Sequence, residues 1–384
     1  MSWRLSATWL IVLLSGLTAC RSIPDKQWSV PDGDAPDATS GIRVIQIDEG
    51  VPKGDSQRSG EFFNAADFDA LKAWLERGNG APIVVYIHGW HHNASGKKDN
   101  LPRFKQFITQ LDRDICDVAR LAKSAASCTQ VQGIYVGWRG DSLDPWILPD
   151  ILDVGTFGGR KRASARVGTG DLQRILKLVS SFKDRDLFVA GHSLGANALY
   201  HAFDRLKPEV GDGHNYFMLN PATTSAEFEA LSRRIAPASP SSSSLTGLRE
   251  AQERVQRREH RKLMIIQAKN DWVVRSLFGT AYGLPIGFDE ERRTHFANAA
   301  PLSACPKLVG KPPGNYCRFT LESGLTIKAD AASEDQCEVL FGQSVWIVEA
   351  DRSLSSSHGD IWDTEQRCAL SELIAKRINR LQGY

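Results

Sequence analysis

Short runs of apolar, mostly β-branched residues alternate along the chain with longer stretches whose apolar positions recur at helical spacing. The short runs are Ile42–Ile47, Ile83–Ile87, Val131–Trp138, Leu187–Ala190, Tyr216–Leu219, Leu263–Ala268 and Ser344–Val348. Helices are predicted over Ala65–Arg77, Leu101–Leu121, Asp171–Phe182 and Leu194–Leu206, with a last one over Ile361–Leu381. Strands that are apolar throughout are buried on both faces, and helices between successive strands imply parallel pairing. The pattern predicts one α/β domain over 41–384, with a mostly parallel central sheet flanked by helices. No internal repeat is present.

Two insertions break the rhythm. The first, about 141–170, carries Trp146, Ile147, Leu148, Ile151, Leu152 and Phe157, then the basic, glycine-rich GGRKRASARVGTG. As structure it reads as a buried loop with a solvated basic end; as function, its apolar half suits an acyl chain or a membrane-proximal substrate. The second, about 221–261, is Ser-rich and then charged, and reads as a polar surface excursion.

Charge narrows the function classes. Lys plus Arg number 47 against 45 for Asp plus Glu, so the chain has no overall field to collect nucleic acid or acidic substrates. The first nineteen residues have one early cation, Arg4, and an apolar run too short to span a bilayer, which is the pattern of an export signal. Leu17-Thr18-Ala19-Cys20 resembles the lipobox of bacterial lipoproteins. That resemblance implies cleavage before Cys20, which becomes a lipid-modified N-terminus, and, in a Gram-negative source, an outer-membrane location, since Arg21 rather than Asp follows. Residues 20–40, rich in Pro, Asp, Ser and Gly, read as a tether. An ordinary signal peptide or an uncleaved anchor is the alternative.

Of seven cysteines, six remain beyond Cys20, an even number that suits disulfides in an exported chain and allows fifteen connectivities. Sequential pairs, Cys116 with Cys128, Cys305 with Cys317 and Cys337 with Cys368, are expected because each would close its own loop. No CxxC spacing points to a zinc cluster.

The candidate chemistry begins at Leu187-Phe188-Val189-Ala190-Gly191-His192-Ser193-Leu194-Gly195. A GxSxG with a strand before it and a helix after it holds its serine on a strained turn, so that the hydroxyl stands above the sheet. In that context the chain resembles the α/β-hydrolase family, over most of 41–384. The resemblance implies the α/β-hydrolase fold, a serine nucleophile at Ser193, and an acid and a histidine later in the chain, in that order. Asp271, just past the strand Leu263–Ala268, matches the acid, with Asp289 as the nearest substitute. His358, on the loop after the last strand, matches the base, with His295 as its rival. His192 is expected to pack rather than to act as the base.

His88-Gly89-Trp90 follows the strand Ile83–Ile87 and resembles the family's HG-x turn, which implies an oxyanion hole made by the backbone N–H groups of Trp90 and Leu194. His88, His91 and His92 also raise a metal reading, but HxxH spacing outside a helix, with no carboxylate in the turn, is weak for zinc. His88 is expected to brace the turn by hydrogen bonding. The resemblance requires no metal or organic cofactor. It implies hydrolysis of a carboxylic ester, thioester or amide, with a small-molecule or lipid ester as the expected partner, and the second insertion lies where this family often carries a cap. Acyl transfer through the same residues, or a silent envelope binding protein on the same fold, are the other readings. Fold does not choose among them.

Overall fold

The computed structural model describes residues 41–50, 52–53, 56–57, 60–62, 64–94, 100–121, 130–140, 157–205, 214–228, 262–288, 296–301, 317–320, 325–329, 345–350 and 357–359, with Trp362, Leu370, Ser371 and Ile374. The tether, Cys20, most of the first insertion, most of the second, Asp289 and His295 therefore lie outside the described residues.

Beside a short two-stranded pair, Pro52–Lys53 with Ser56–Gln57, the strands of the main sheet are β1 (Ile42–Asp48), β2 (Glu61–Phe62), β3 (Ile83–Ile87), β4 (Gln132–Gly137), β5 (Leu187–His192), β6 (His214–Leu219), β7 (Lys262–Ala268), β8 (Phe296–Pro301), β9 (Cys317–Thr320), β10 (Leu325–Ala329) and β11 (Val345–Ala350). They form one 11-stranded sheet in the order β9-β10-β8-β11-β7-β6-β5-β3-β4-β1-β2. Every neighbouring pair from β1 to β8 is parallel; β2, β9 and β10 join antiparallel at the two edges. The inner order, with β4 beside β1 and β3 beside the strand leading to Ser193, followed outward by β6, β7 and β11, is that of the α/β-hydrolase fold. Strands β8, β9 and β10 were not legible as apolar runs.

The alternation along β3, β5 and β6 explains the two helix layers. Ile83, Val85, Ile87, Leu187, Val189 and Met218 pack in one core with α1 (Ala66–Arg77), α3 (Phe157–Thr169), α4 (Asp171–Val179) and α5 (Leu194–Arg205). The intervening residues Val84, Tyr86, Phe188, Ala190, Phe217 and Leu219 face Phe104 and Phe107 of α2 (Asn100–Leu121), with Trp362, Leu370 and Ile374. A strand covered on both sides has no polar face, hence the continuous apolar runs. No helix among the described residues is long and apolar enough to cross a membrane.

One expectation fails here. The basic end of the first insertion is helix α3, and Arg160, Lys161 and Arg166 are buried in it. Tertiary partners override the glycines and charges that suggested a solvated loop. Arg160 pairs with buried Glu49, which also pairs with Arg139, and Arg166 Nε–H donates to the Glu49 carbonyl at 2.9 Å. Cys116 is disulfide-bonded, with Cys128 outside the described residues.

Candidate active site

Parallel register brings the carboxyl ends of the strands level. Ile87 lies opposite Gly191, His192 opposite Leu219, Leu219 opposite Ile266, and Ala268 opposite Ala350. The loops that follow them therefore meet at one edge, where open α/β sheets place their ligands.

Ser193 sits at the β5–α5 turn with φ 52°, a left-handed backbone that a residue with a Cβ occupies at a cost. Its carbonyl is held by three N–H groups, from Ala196 at 3.1 Å and from Asn197 and Ala222 at 3.2 Å each. At Gly195 a Cβ would run into the carbonyl oxygens of Ile87 and His88, so only glycine lets helix and strand cross this closely.

The structure brings Ser193, His358 and Asp271 together. Ser193 Oγ lies 2.9 Å from His358 Nε2, and His358 Nδ1 lies 2.8 Å from Asp271 Oδ2. A carboxylate only accepts, so Nδ1 carries the proton and Nε2 is left to accept the serine hydroxyl. Asp271 is fully buried and takes two further hydrogen bonds, from Val274 N–H at 2.9 Å and Gln267 Nε2 at 3.0 Å. Burial pushes its carboxyl up, but the adjacent His358 and these donors outweigh that and hold it below the usual carboxylate range.

His192 is not part of this relay. Its Nε2–H donates to the His358 carbonyl at 2.8 Å, beside Asn220 Nδ2 at 3.0 Å. Burial, then the neighbouring His358, bring its pKa down to about 3, so it is neutral. Asn220 was missed in the sequence; it also accepts Ala268 N–H on Oδ1 at 2.7 Å, tying β6 to β7 beneath the His358 loop.

The turn after β3 packs directly on the serine. A Cβ at Gly89 would stand 2.9 Å from each of Ser193 Cβ, His192 O and His192 Nδ1. Among the described residues neither Trp90 N–H nor Leu194 N–H meets a main-chain acceptor. His88 accepts Trp138 N–H on Nε2 at 3.0 Å and donates from Nδ1 to Gly89 O at 2.9 Å, while its carbonyl takes the Trp138 indole at 2.9 Å. Both imidazole nitrogens are thereby engaged, which leaves neither for a metal. Among the described residues no group of three or more His, Cys, Asp or Glu side chains could hold one.

The chain is similar in structure to acyl-protein thioesterase 2 of Zea mays, at 15% identity over 78% of this chain and 94% of that one, with a TM-score of 0.29. It is similar to an acylaminoacyl peptidase of Pyrococcus horikoshii at 12% identity over 78% of this chain and 37% of that one, with a TM-score of 0.28. It thus spans well under half the length of the peptidase. No protein-family model matches the sequence, and no curated protein matches it.

Proposed function

We propose that the chain is a serine hydrolase that cleaves a carboxylic ester, with a lipid or other acyl ester as substrate, through an acyl-enzyme on Ser193. The observation that carries this reading is the continuous hydrogen-bonded relay from Ser193 Oγ through His358 to buried Asp271. In it, Ser193 Oγ attacks the ester carbonyl carbon while His358 Nε2 takes the hydroxyl proton. The tetrahedral oxyanion is held by the N–H groups of Trp90 and Leu194. Collapse breaks the bond to the alkoxy oxygen, which leaves as the alcohol with the proton from His358. Water then attacks the acyl-enzyme, giving its proton to His358, and the acid departs as Ser193 recovers its own. Asp271 orients the imidazole and stabilises the imidazolium in both halves.

The reading extends to a chain exported as a lipoprotein and held at the outer membrane by acylated Cys20, which rests on the lipobox-like Leu17-Thr18-Ala19-Cys20. Labelling of the purified protein by a fluorophosphonate, with Ser193→Ala as control, tests the chemistry. Labelling of wild type alone is expected; equal labelling of both, or of neither, overturns it.

A further inference from the structure

The relay leaves unused a buried ammonium beneath the elbow. Lys161, on α3, is 9% exposed. Its Nζ donates to Asn197 Oδ1 at 2.9 Å, to the Ala222 carbonyl at 3.1 Å and to the Glu227 carboxylate at 3.1 Å. An ammonium has three N–H groups, and each has an acceptor.

Two of those acceptors belong to residues that hold the nucleophile. Asn197 and Ala222 donate their main-chain N–H groups to the Ser193 carbonyl, so Lys161 grips from below two of the three residues that grip Ser193. The third acceptor is anchored as well. Glu227 Oε2 accepts Thr224 N–H at 2.8 Å, and Glu227 N–H returns to Thr224 Oγ1 at 3.2 Å, a reciprocal capping box. Asn197 is turned toward Lys161 by its own Nδ2, which donates to Ser164 Oγ at 2.8 Å. The faces of Phe278 and Tyr282, 5.0 and 5.5 Å from Nζ, complete the enclosure.

We propose that Lys161, with Glu227, is a positioning residue: it fixes the left-handed Ser193 backbone, and with it Oγ, relative to His358 and the turn at Gly89. A left-handed serine persists only where its surroundings over-determine it, and this clamp joins α3, α5 and the segment after β6 around it. The role rests on the serine-hydrolase reading.

The test compares Lys161→Met, Glu227→Gln and Arg185→Met in the full chain, with rates on a short soluble ester divided by the sites that a fluorophosphonate titrates. Arg185 is the control. It is a buried cation whose guanidinium holds the Leu75 carbonyl and Gln132 Oε1 at the opposite, amino end of the sheet. Lys161→Met is expected to lose about ten- to a hundredfold in kcat per titrated site with KM within about twofold. Glu227→Gln, which keeps an oxygen for the cap, loses several-fold, and Arg185→Met loses thermal stability with kcat per site retained. Lys161→Met at wild-type kcat per site, in a wild type that labels and turns over, overturns the clamp alone. So does parallel behaviour of Lys161→Met and Arg185→Met. A wild type that neither labels nor hydrolyses overturns the hydrolase reading and the clamp together.

Discussion

His192 Nε2–H donates to the main-chain carbonyl of His358 at 2.8 Å, so the residue beside Ser193 holds the backbone of the proposed base. Asn220 reinforces the same carbonyl and also satisfies Ala268 N–H. Asn220→Ala removes both hydrogen bonds and leaves a buried N–H unpaired, at a cost of about 1–3 kcal/mol. Asn220 also has φ 45°, which asparagine tolerates better than alanine. Urea unfolding is expected to show that loss, and ester turnover about a tenfold drop in kcat as the His358 loop loosens. Unchanged stability together with unchanged kcat would refute the strap.

Gly89→Ala separates the proposed oxyanion turn from the fold. The added methyl meets Ser193 Cβ and two atoms of His192 at 2.9 Å, none of them the end of a flexible chain. Relief requires the turn to move off the elbow, carrying Trp90 N–H with it. Loss of one such donor costs about a hundred- to a thousandfold in kcat. The expected signature is that loss of turnover with a cooperative unfolding transition retained, and near-normal kcat rules out Trp90 as the donor.

The inner strands, the elbow and the positions of Asp271 and His358 were legible because each is a local pattern: an apolar run, a GxSxG between strand and helix, a polar residue just past a strand end. Helix α3 was not, because Gly158, Gly159 and Gly168 and four basic residues argue locally against a buried helix. Its reasons lie elsewhere in the chain, in Glu49 for Arg160 and in Asn197, Ala222 and Glu227 for Lys161. Asn220 was equally silent, since its partners are 48 and 138 residues away. The role of His88 was readable as a brace, whereas its partner Trp138 was not.

Glu49 accepts ion pairs from Arg139 and Arg160 while only 3% exposed. Removing it leaves two largely buried guanidiniums without their acid, the costly direction in which to break a buried pair. Glu49→Ala is expected to lose about 3–5 kcal/mol in urea unfolding. A loss below about 1 kcal/mol means the cluster is solvated enough not to matter.

Membrane attachment is tested apart from the chemistry. Expressed in a Gram-negative host with labelled palmitate, the wild-type chain is expected to take up label and Cys20→Ala to take up none. Retained label in Cys20→Ala rules out the lipoprotein reading while leaving the relay untouched.

His192 also makes stability depend on pH. Its folded pKa is about 3, against about 6.5 for an unperturbed histidine. Between those values the unfolded chain binds a proton that the folded chain does not, so stability falls as pH falls, and above about 6.5 the group has no effect. Asp271 works in the same direction but lower down: its depressed carboxyl contributes stability above the ordinary carboxylate range, and that stability is lost only as pH drops through the folded value. A window from pH 6.5 to 4.5 therefore lies above the Asp271 range, and comparison with a His192 variant within it isolates His192. His192→Gln keeps an N–H donor for the His358 carbonyl and removes the titration. At two pH units and about 1.4 kcal/mol per unit, the variant should keep about 2–3 kcal/mol that wild type loses across that window. Parallel pH–stability curves for the two proteins would show that the imidazole takes up its proton in the folded state after all.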